Sequence, residues 1–372
     1  MVKKIAFYLP QFHTIPENDE WWGKGFTEWT NVKAARPQFK GHYQPESPLN
    51  DKYYNLLDSE IQVWQAELAK KYGIDAFCYY HYWFEGKLLL EKPMEKMLHN
   101  PMVEMPFCIC WANETWARTW DGQETNILIK QNYNEGKEGW IKHFYYLLPF
   151  FKDSRYLMHD GKPMLVIYKP QLIINCKEML ECWNELAKKN GFPGLYIGYQ
   201  HHSAFDYNLD NMKLDFGIEF EPMYTVREIN QEKNSTIGLF LRCLTQPKWF
   251  YRKIIEKLFQ TPQIYYYDEI WKRINNRIPE KEHIMPGAFC AWDNTPRKGK
   301  KATVFLGSTP EKFEKNMLER VKRAEKIYHA EYIFINAWNE WAEGAHLEPD
   351  KKNKYGYLEA IKNVTEYIEN EG

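Results

Sequence analysis

The chain has 372 residues, room for one large barrel or two average domains, and its 44% of apolar residues can fill a sizeable core. A formal net charge of −1 argues against a general polyanion binder, so no nucleic acid is expected as a partner. No run approaches the roughly 20 uninterrupted apolar residues of a membrane-crossing helix, and seven scattered cysteines, an odd number, do not read as a disulfide framework.

The N-terminal Met1-Val2-Lys3-Lys4-Ile5-Ala6-Phe7-Tyr8-Leu9-Pro10 has two lysines and only a short apolar run. It reads as a first strand rather than a signal peptide, and a reducing cytoplasm is the expected setting. In chain order, short apolar runs bounded by turn signals predict strands at Lys4–Leu9, Ile74–Tyr82, Pro106–Asn113, Pro163–Lys169, Leu195–Gln200, Asp215–Phe220, Pro286–Trp292 and Tyr332–Trp338. Most are too continuously apolar for a half-exposed sheet, which suits parallel strands buried on both faces. Helical spacing joins Ile61, Trp64, Leu68 and Tyr72 after Asp58-Ser59, with Gly73 as the stop. Met179, Trp183 and Leu186 mark another helix that ends near Gly191. Ser308-Thr309-Pro310-Glu311 opens a third, with Phe313, Met317, Val321 and Ala324 on one face, and Tyr357 to Ile368 closes the chain.

Eight strands alternating with helices predict an α/β fold, a (β/α)8 TIM barrel occupying residues 1–372 as a single domain. A doubly wound open sheet would carry a Gly-rich turn after its first strand, whereas here Leu9-Pro10-Gln11-Phe12-His13 follows and no glycine appears before Gly23. Insertions are expected at about 14–48, over the catalytic mouth, and at about 225–284. The second holds Lys248-Trp249-Phe250-Tyr251-Arg252-Lys253, read first as a solvated basic face and otherwise as a lid or a peripheral membrane patch.

Barrel chemistry sits at the C-terminal ends of the strands. There the sequence delivers Gln11 and His13, then His81, Tyr82 and Trp83, then Trp111, Asn113, Glu114, Trp116, Arg118 and Asp121. Strand six brings Glu219 and Glu221, strand seven Trp292, Asp293 and Asn294, and strand eight Asn339, Glu340, Trp341 and Glu343. Acids, amides and rings together are what sugars demand, since hydroxyls need polar partners and C–H faces stack on rings. Two carboxylates three residues apart among tryptophans, Glu340 and Glu343, are costly to bury without a partner or a shifted pKa, and such pairs cleave glycosidic bonds. Alternation groups Phe334, Asn336, Trp338 and Glu340 on one face of the last strand. No clustered Cys/His spacing exists, and no metal or cofactor is expected. His201-His202 with Asp206 reads as surface or hydrogen-bonding residues before a metal pair, because adjacent strand residues point oppositely.

Phe7-Tyr8-Leu9-Pro10-Gln11-Phe12-His13, Gly25-Phe26-Thr27-Glu28-Trp29, Trp111-Ala112-Asn113-Glu114 and Asn339-Glu340-Trp341-Ala342-Glu343-Gly344 resemble the WbsX family, glycosyltransferase-like proteins encoded among surface-polysaccharide genes. The terminal motif is also similar to that of glycoside hydrolase family 99, retaining endo-α-mannosidases and mannanases on a (β/α)8 barrel. This resemblance implies that Glu340 acts as base on the substrate's own 2-hydroxyl, through a 1,2-anhydro sugar, and that Glu343 is the acid/base at the leaving oxygen. The expected partner is an oligosaccharide, a polysaccharide or a lipid-linked glycan in surface-polysaccharide metabolism.

Two alternatives stand beside the hydrolase. A glycosyltransferase of O-antigen or capsule biosynthesis would find its Glu-x7-Glu spacing in Glu340 and Glu348, yet the chain has no Asp-x-Asp. A non-catalytic sugar-binding barrel would need one of the two glutamates paired internally, for instance with Arg118 or Arg297. Glu28 and Trp29 are expected to organise the mouth.

Overall fold

The computed structural model describes residues 1–118, 123–202, 209, 211–234 and 261–371. Eight parallel barrel strands form where the apolar runs lie: β1 (Lys3–Tyr8), β2 (Ala76–Phe84), β3 (Phe107–Trp111), β4 (Lys162–Ile167), β5 (Tyr196–His201), β6 (Phe216–Glu219), β7 (Ile284–Met285 with Gly287–Phe289) and β8 (Tyr332–Asn336). Each pairs with its sequence neighbour from β1 to β6. The first segment of β7 then pairs with β6, the second with β8, and β8 returns to β1.

The ring therefore closes through a strand split at Pro286. Proline has no N–H for the ladder, but its carbonyl accepts from the Phe334 amide at 3.0 Å. Directly after it, a Cβ on Gly287 would lie 1.7 Å from the Glu219 carbonyl oxygen, so only glycine lets the two backbones meet there. The strand ends at Phe289, so Trp292, predicted within it, follows its end.

Period-two alternation sorts each strand into an inner and an outer face. Phe7, Tyr80, Phe220 and Phe334 point inward, and the Phe7 ring lies 5.5 Å from Tyr80, 5.5 Å from Phe220 and 5.7 Å from Phe334. This aromatic plug fills the barrel as a core rather than a pore. The outer residues meet helices. Tyr8 donates from its hydroxyl to Gln65 at 2.6 Å, and Gln65 belongs to the helix Ser59–Lys71.

That helix starts as its sequence predicts, with the Asp58 carboxylate accepting from the Glu60 amide at 3.0 Å and Gly73 (φ 83°) beyond its end. The helix Pro310–Lys326 likewise opens on Thr309, whose hydroxyl oxygen accepts from the Lys312 amide. Residues 14–48 hold the helices Pro16–Trp22 and Glu28–Ala34, the latter closed by a Thr27/Thr30 capping box. In the 225–284 region the described part contains the end of the helix Met223–Asn234, the strand Gln263–Tyr266 and the helix Tyr267–Asn276. The basic run Lys248–Lys253, Asp121 and Asp206 lie outside the described residues. No helix among those described is long and apolar enough to cross a membrane.

Candidate active site

Beyond Asn336 the chain leaves β8 and folds back as a hairpin, Asn339–Glu340 against Ala345–His346, around a short turn at Trp341–Glu343. Gly344 makes the return possible. Its φ of 59° is left-handed, and a Cβ there would sit 2.8 Å from the Asp293 amide nitrogen. That amide donates to the Glu343 carbonyl at 2.7 Å, while Asn339 clamps both the N–H and the C=O of Leu9 at 2.7 and 3.0 Å. The hairpin is thus fixed to β1 on one side and to the β7 loop on the other.

This places Glu340 and Glu343 on the wall of a cleft of about 460 Å³. Between them reaches Arg297, from the single turn Thr295–Lys298. Its guanidinium donates to Glu340 at 2.9 Å, to Glu343 at 2.7 Å and to Glu28 at 2.7 Å. Three carboxylates thus share one cation, so the cluster carries two more negative charges than positive when all three are ionised, and one more when a carboxyl keeps its proton. Burial pushes the Glu340 carboxyl up to about 8 against the pull of Arg297, with Glu343 and Glu28 adding to the rise. Burial likewise raises the Glu28 carboxyl. Although burial works against its charge, the surrounding carboxylates hold Arg297 firmly protonated.

Rings and hydroxyls line the rest of the cleft: Trp22, Tyr80, Tyr82, Trp116, Tyr168 and Trp292. Burial, reinforced by the charge of Glu340, keeps the Tyr80 and Tyr82 phenols protonated as donors. Trp116 meets Tyr82 edge-on at 5.0 Å and Trp21 at 6.0 Å, so its plane is held by neighbours from the first insertion and β2. Glu114 lines the cleft too and pairs with Lys169.

Of the residues the sequence places at the mouth, Gln11, Tyr82, Glu114, Trp116, Trp292, Asn294, Glu340 and Glu343 converge on this cleft. Others among the described residues are engaged elsewhere. On β2 the alternation that brings Tyr80 and Tyr82 inward sends His81 and Trp83 outward. The His81 Nε2 lies 2.9 Å from that of His143, and Trp83 stacks on the same imidazole at 4.5 Å. Trp111 packs outside β3 between His143 and Trp183. Asn113 is a strand tie, accepting from the Lys169 amide at 2.7 Å and donating to the Lys169 carbonyl at 2.8 Å. His13 is buried with Nδ1 3.1 Å from the Pro10 carbonyl, and burial lowers its pKa to about 4, so it is neutral.

Glu219 occupies the outer face of β6, opposite Phe216 and Ile218, and Glu221 follows just past the strand's end. Glu219 is held by Arg320 and Tyr328 and lies 3.3 Å from Arg277; Glu221 binds Arg277 at 2.5 Å and the Thr225 hydroxyl at 2.9 Å. They form a buried ion network away from the cleft. Asp293 stands behind the hairpin, accepting from His42 at 2.7 Å and Gln44 at 2.6 Å. Asn339 is the backbone clamp already described. Trp341 is structural, donating to Glu348 at 2.6 Å and stacking on His346 at 3.7 Å. That contact also takes Glu348 out of any Glu-x7-Glu site. Trp338 departs from the predicted face as well, packing outward on Phe77 at 5.0 Å.

Tyr80, Tyr168, Asn18, Trp22, Arg227, Lys298 and Asn336 line the cleft without having been singled out as site residues. Tyr80 was within reach of the sequence, two residues from Tyr82. Among the described residues no group of three His, Cys, Asp or Glu side chains is arranged to hold a metal ion.

A family model described as Glycosyltransferase WbsX matches residues 4–361. Two Xanthomonas campestris pv. campestris proteins named WxcX, from strains B100 and ATCC 33913, are each 34% identical over 365 residues. The match takes in 97% of this chain and 49% of theirs, so the chain spans about half the length of these curated relatives. Among solved structures, the family 99 endo-α-mannosidase of Bacteroides thetaiotaomicron superposes with a TM-score of 0.57 at 13% identity, covering 100% of this chain and 99% of that one. A glycoside hydrolase-like protein gives 0.57 at 12% identity over 98% and 93%. At such identities the likeness is one of fold, and it is the barrel.

Proposed function

The chain belongs to the Glycosyltransferase WbsX family, and we propose that it is a carbohydrate-active enzyme of polysaccharide metabolism whose chemistry is that of a retaining endo-glycoside hydrolase. The observation that carries this reading is the cluster on Arg297. Three carboxylates on one guanidinium, Glu28 and Glu340 buried and Glu343 partly so, are a poor stabilising device, because burial penalises the charges and like charges repel. A cleft wall that nevertheless holds Glu340 and Glu343 among sugar-sized rings has the makings of an acid/base site.

Following the family 99 resemblance, Glu340 takes the proton of the substrate's 2-hydroxyl as that oxygen bonds to the anomeric carbon. The bond to the leaving oxygen breaks and Glu343 protonates that oxygen. Water then adds to the anomeric carbon, giving its proton to Glu343, while the 1,2-anhydro ring opens and its oxygen regains a proton from Glu340. Arg297 spans both groups and balances charge as protons move between them.

The pairing with Arg297 is what a non-catalytic barrel would also need. Here, however, the pair lines the cleft rather than lying buried away from it. The transferase reading is separable by experiment. Incubation with a panel of oligosaccharides and polysaccharides, followed by product sizing, is expected to give shorter glycans, and calorimetry with nucleoside diphosphate sugars is expected to give no heat. Clear nucleotide-sugar affinity with no cleavage would replace the hydrolase by a transferase.

A further inference from the structure

Every carboxylate at the cleft has a cationic partner: Arg297 serves three glutamates and Lys169 serves Glu114. Two further cations pair with none of them. Arg227, exposed on the helix Met223–Asn234 that follows β6, and Lys298, exposed at the end of the turn that carries Arg297, both line the cleft. Among the described residues neither makes an ion pair or a side-chain hydrogen bond. Their loops follow β6 and β7, neighbours in the barrel. The Arg227 charge bears on the buried Tyr168 hydroxyl, which also feels Glu114 and Glu343, so the guanidinium lies within the field of the catalytic wall.

A neutral glycan offers two unpaired cations only hydroxyl and ring oxygens, weaker acceptors than an anionic group. Lining the cleft without a carboxylate partner, Arg227 and Lys298 supply charge-assisted donors to an anion. Resting on the carbohydrate reading above, we propose that Arg227 and Lys298 form an anion-binding subsite beside Glu340 and Glu343, and that the glycan taken by this cleft bears an acidic group. Two sources share that chemistry, the carboxylate of a uronic acid unit and the phosphoryl oxygens of a phosphate-linked glycan. Arg227 suits either through two parallel N–H donors, with Lys298 as a point charge.

The test titrates the full chain with sodium glucuronate, inorganic pyrophosphate or neutral methyl glucoside, following the fluorescence of Trp22, Trp116 and Trp292 in the cleft. Saturable binding of at least one anion is expected, with none of the methyl glucoside over the same range. Arg227→Gln with Lys298→Gln is expected to weaken that anion at least tenfold, about what one charge-assisted contact supplies, with an unchanged melting curve since both side chains are exposed. Preference for glucuronate identifies a uronate, and preference for pyrophosphate a phosphate. Saturation by neither anion, equal affinity for the neutral sugar, or an affinity untouched by the double substitution overturns the proposal. Binding needs no turnover, so that failure is distinct from failure of the hydrolase reading, which is judged by glycan cleavage alone.

Discussion

Glu340 sits in an environment far from what a solvated carboxylate prefers. Its carboxyl is held near 8, above the ordinary carboxylate range. The folded chain therefore binds a proton there that the unfolded chain releases between about pH 4.5 and 8. Stability contributed by this site falls as pH rises through that window. Glu340→Gln is expected to remove the slope and to melt above the parent at pH 8, the gain vanishing near pH 4, as scanning calorimetry at the two pH values can check. Catalysis gives the opposite sign. If Glu340 is the base, kcat/KM climbs with pH through about 8; a fall over the same range would make it the acid and exchange the roles with Glu343. Arg297→Met leaves the buried Glu28 and Glu340 and the half-buried Glu343 without a counter-charge and is expected to cost about 3–5 kcal/mol at neutral pH in urea unfolding, and less near pH 5.

At the scale of elements, the hairpin and the β6 edge were legible to different degrees. The carboxylate spacing and Gly344 announce a turn that presents both acids, and the cleft contains them. The face assignment through Trp338 fails, because alternation holds only while the chain stays a strand and β8 ends at Asn336. At β6 the same rule places Glu219 outward, opposite Phe216 and Ile218, while Glu221 lies past the strand's end, where alternation no longer decides. Polar residues at a strand end were credited to the mouth although Arg277 and Arg320, distant in sequence, were waiting for them. Arg320→Met should therefore destabilise by about 3–5 kcal/mol, with kcat of the folded protein unchanged. A parallel loss of kcat would move this network into the site.

For the whole molecule, eight strands and their parallel order follow from apolar runs alternating with helical patterns, because strands buried on both faces leave an unbroken apolar signature. Hidden from the sequence was the way rings divide between plug, mantle and cleft. His81, Trp83 and Trp111 look like ligand platforms and instead seal helices to the outer wall. The plug is expected to govern cohesion. Phe7→Ala removes a ring that touches side chains from β2 and β8 and the end of β6, and should cost about 3–5 kcal/mol by urea unfolding, with far-ultraviolet dichroism and tryptophan fluorescence moving together.

The central claim concerns two carboxylates, and kinetics on one cleaved glycan addresses it most directly. The parent, Glu340→Gln and Glu343→Gln are compared, with the product anomer read by proton magnetic resonance before mutarotation. Each substitution is expected to lower kcat by about 10²–10⁴-fold in a protein that melts no lower than the parent at pH 8, and the parent's product is expected to keep the substrate's configuration. Either variant turning over at the parental rate would contradict the account.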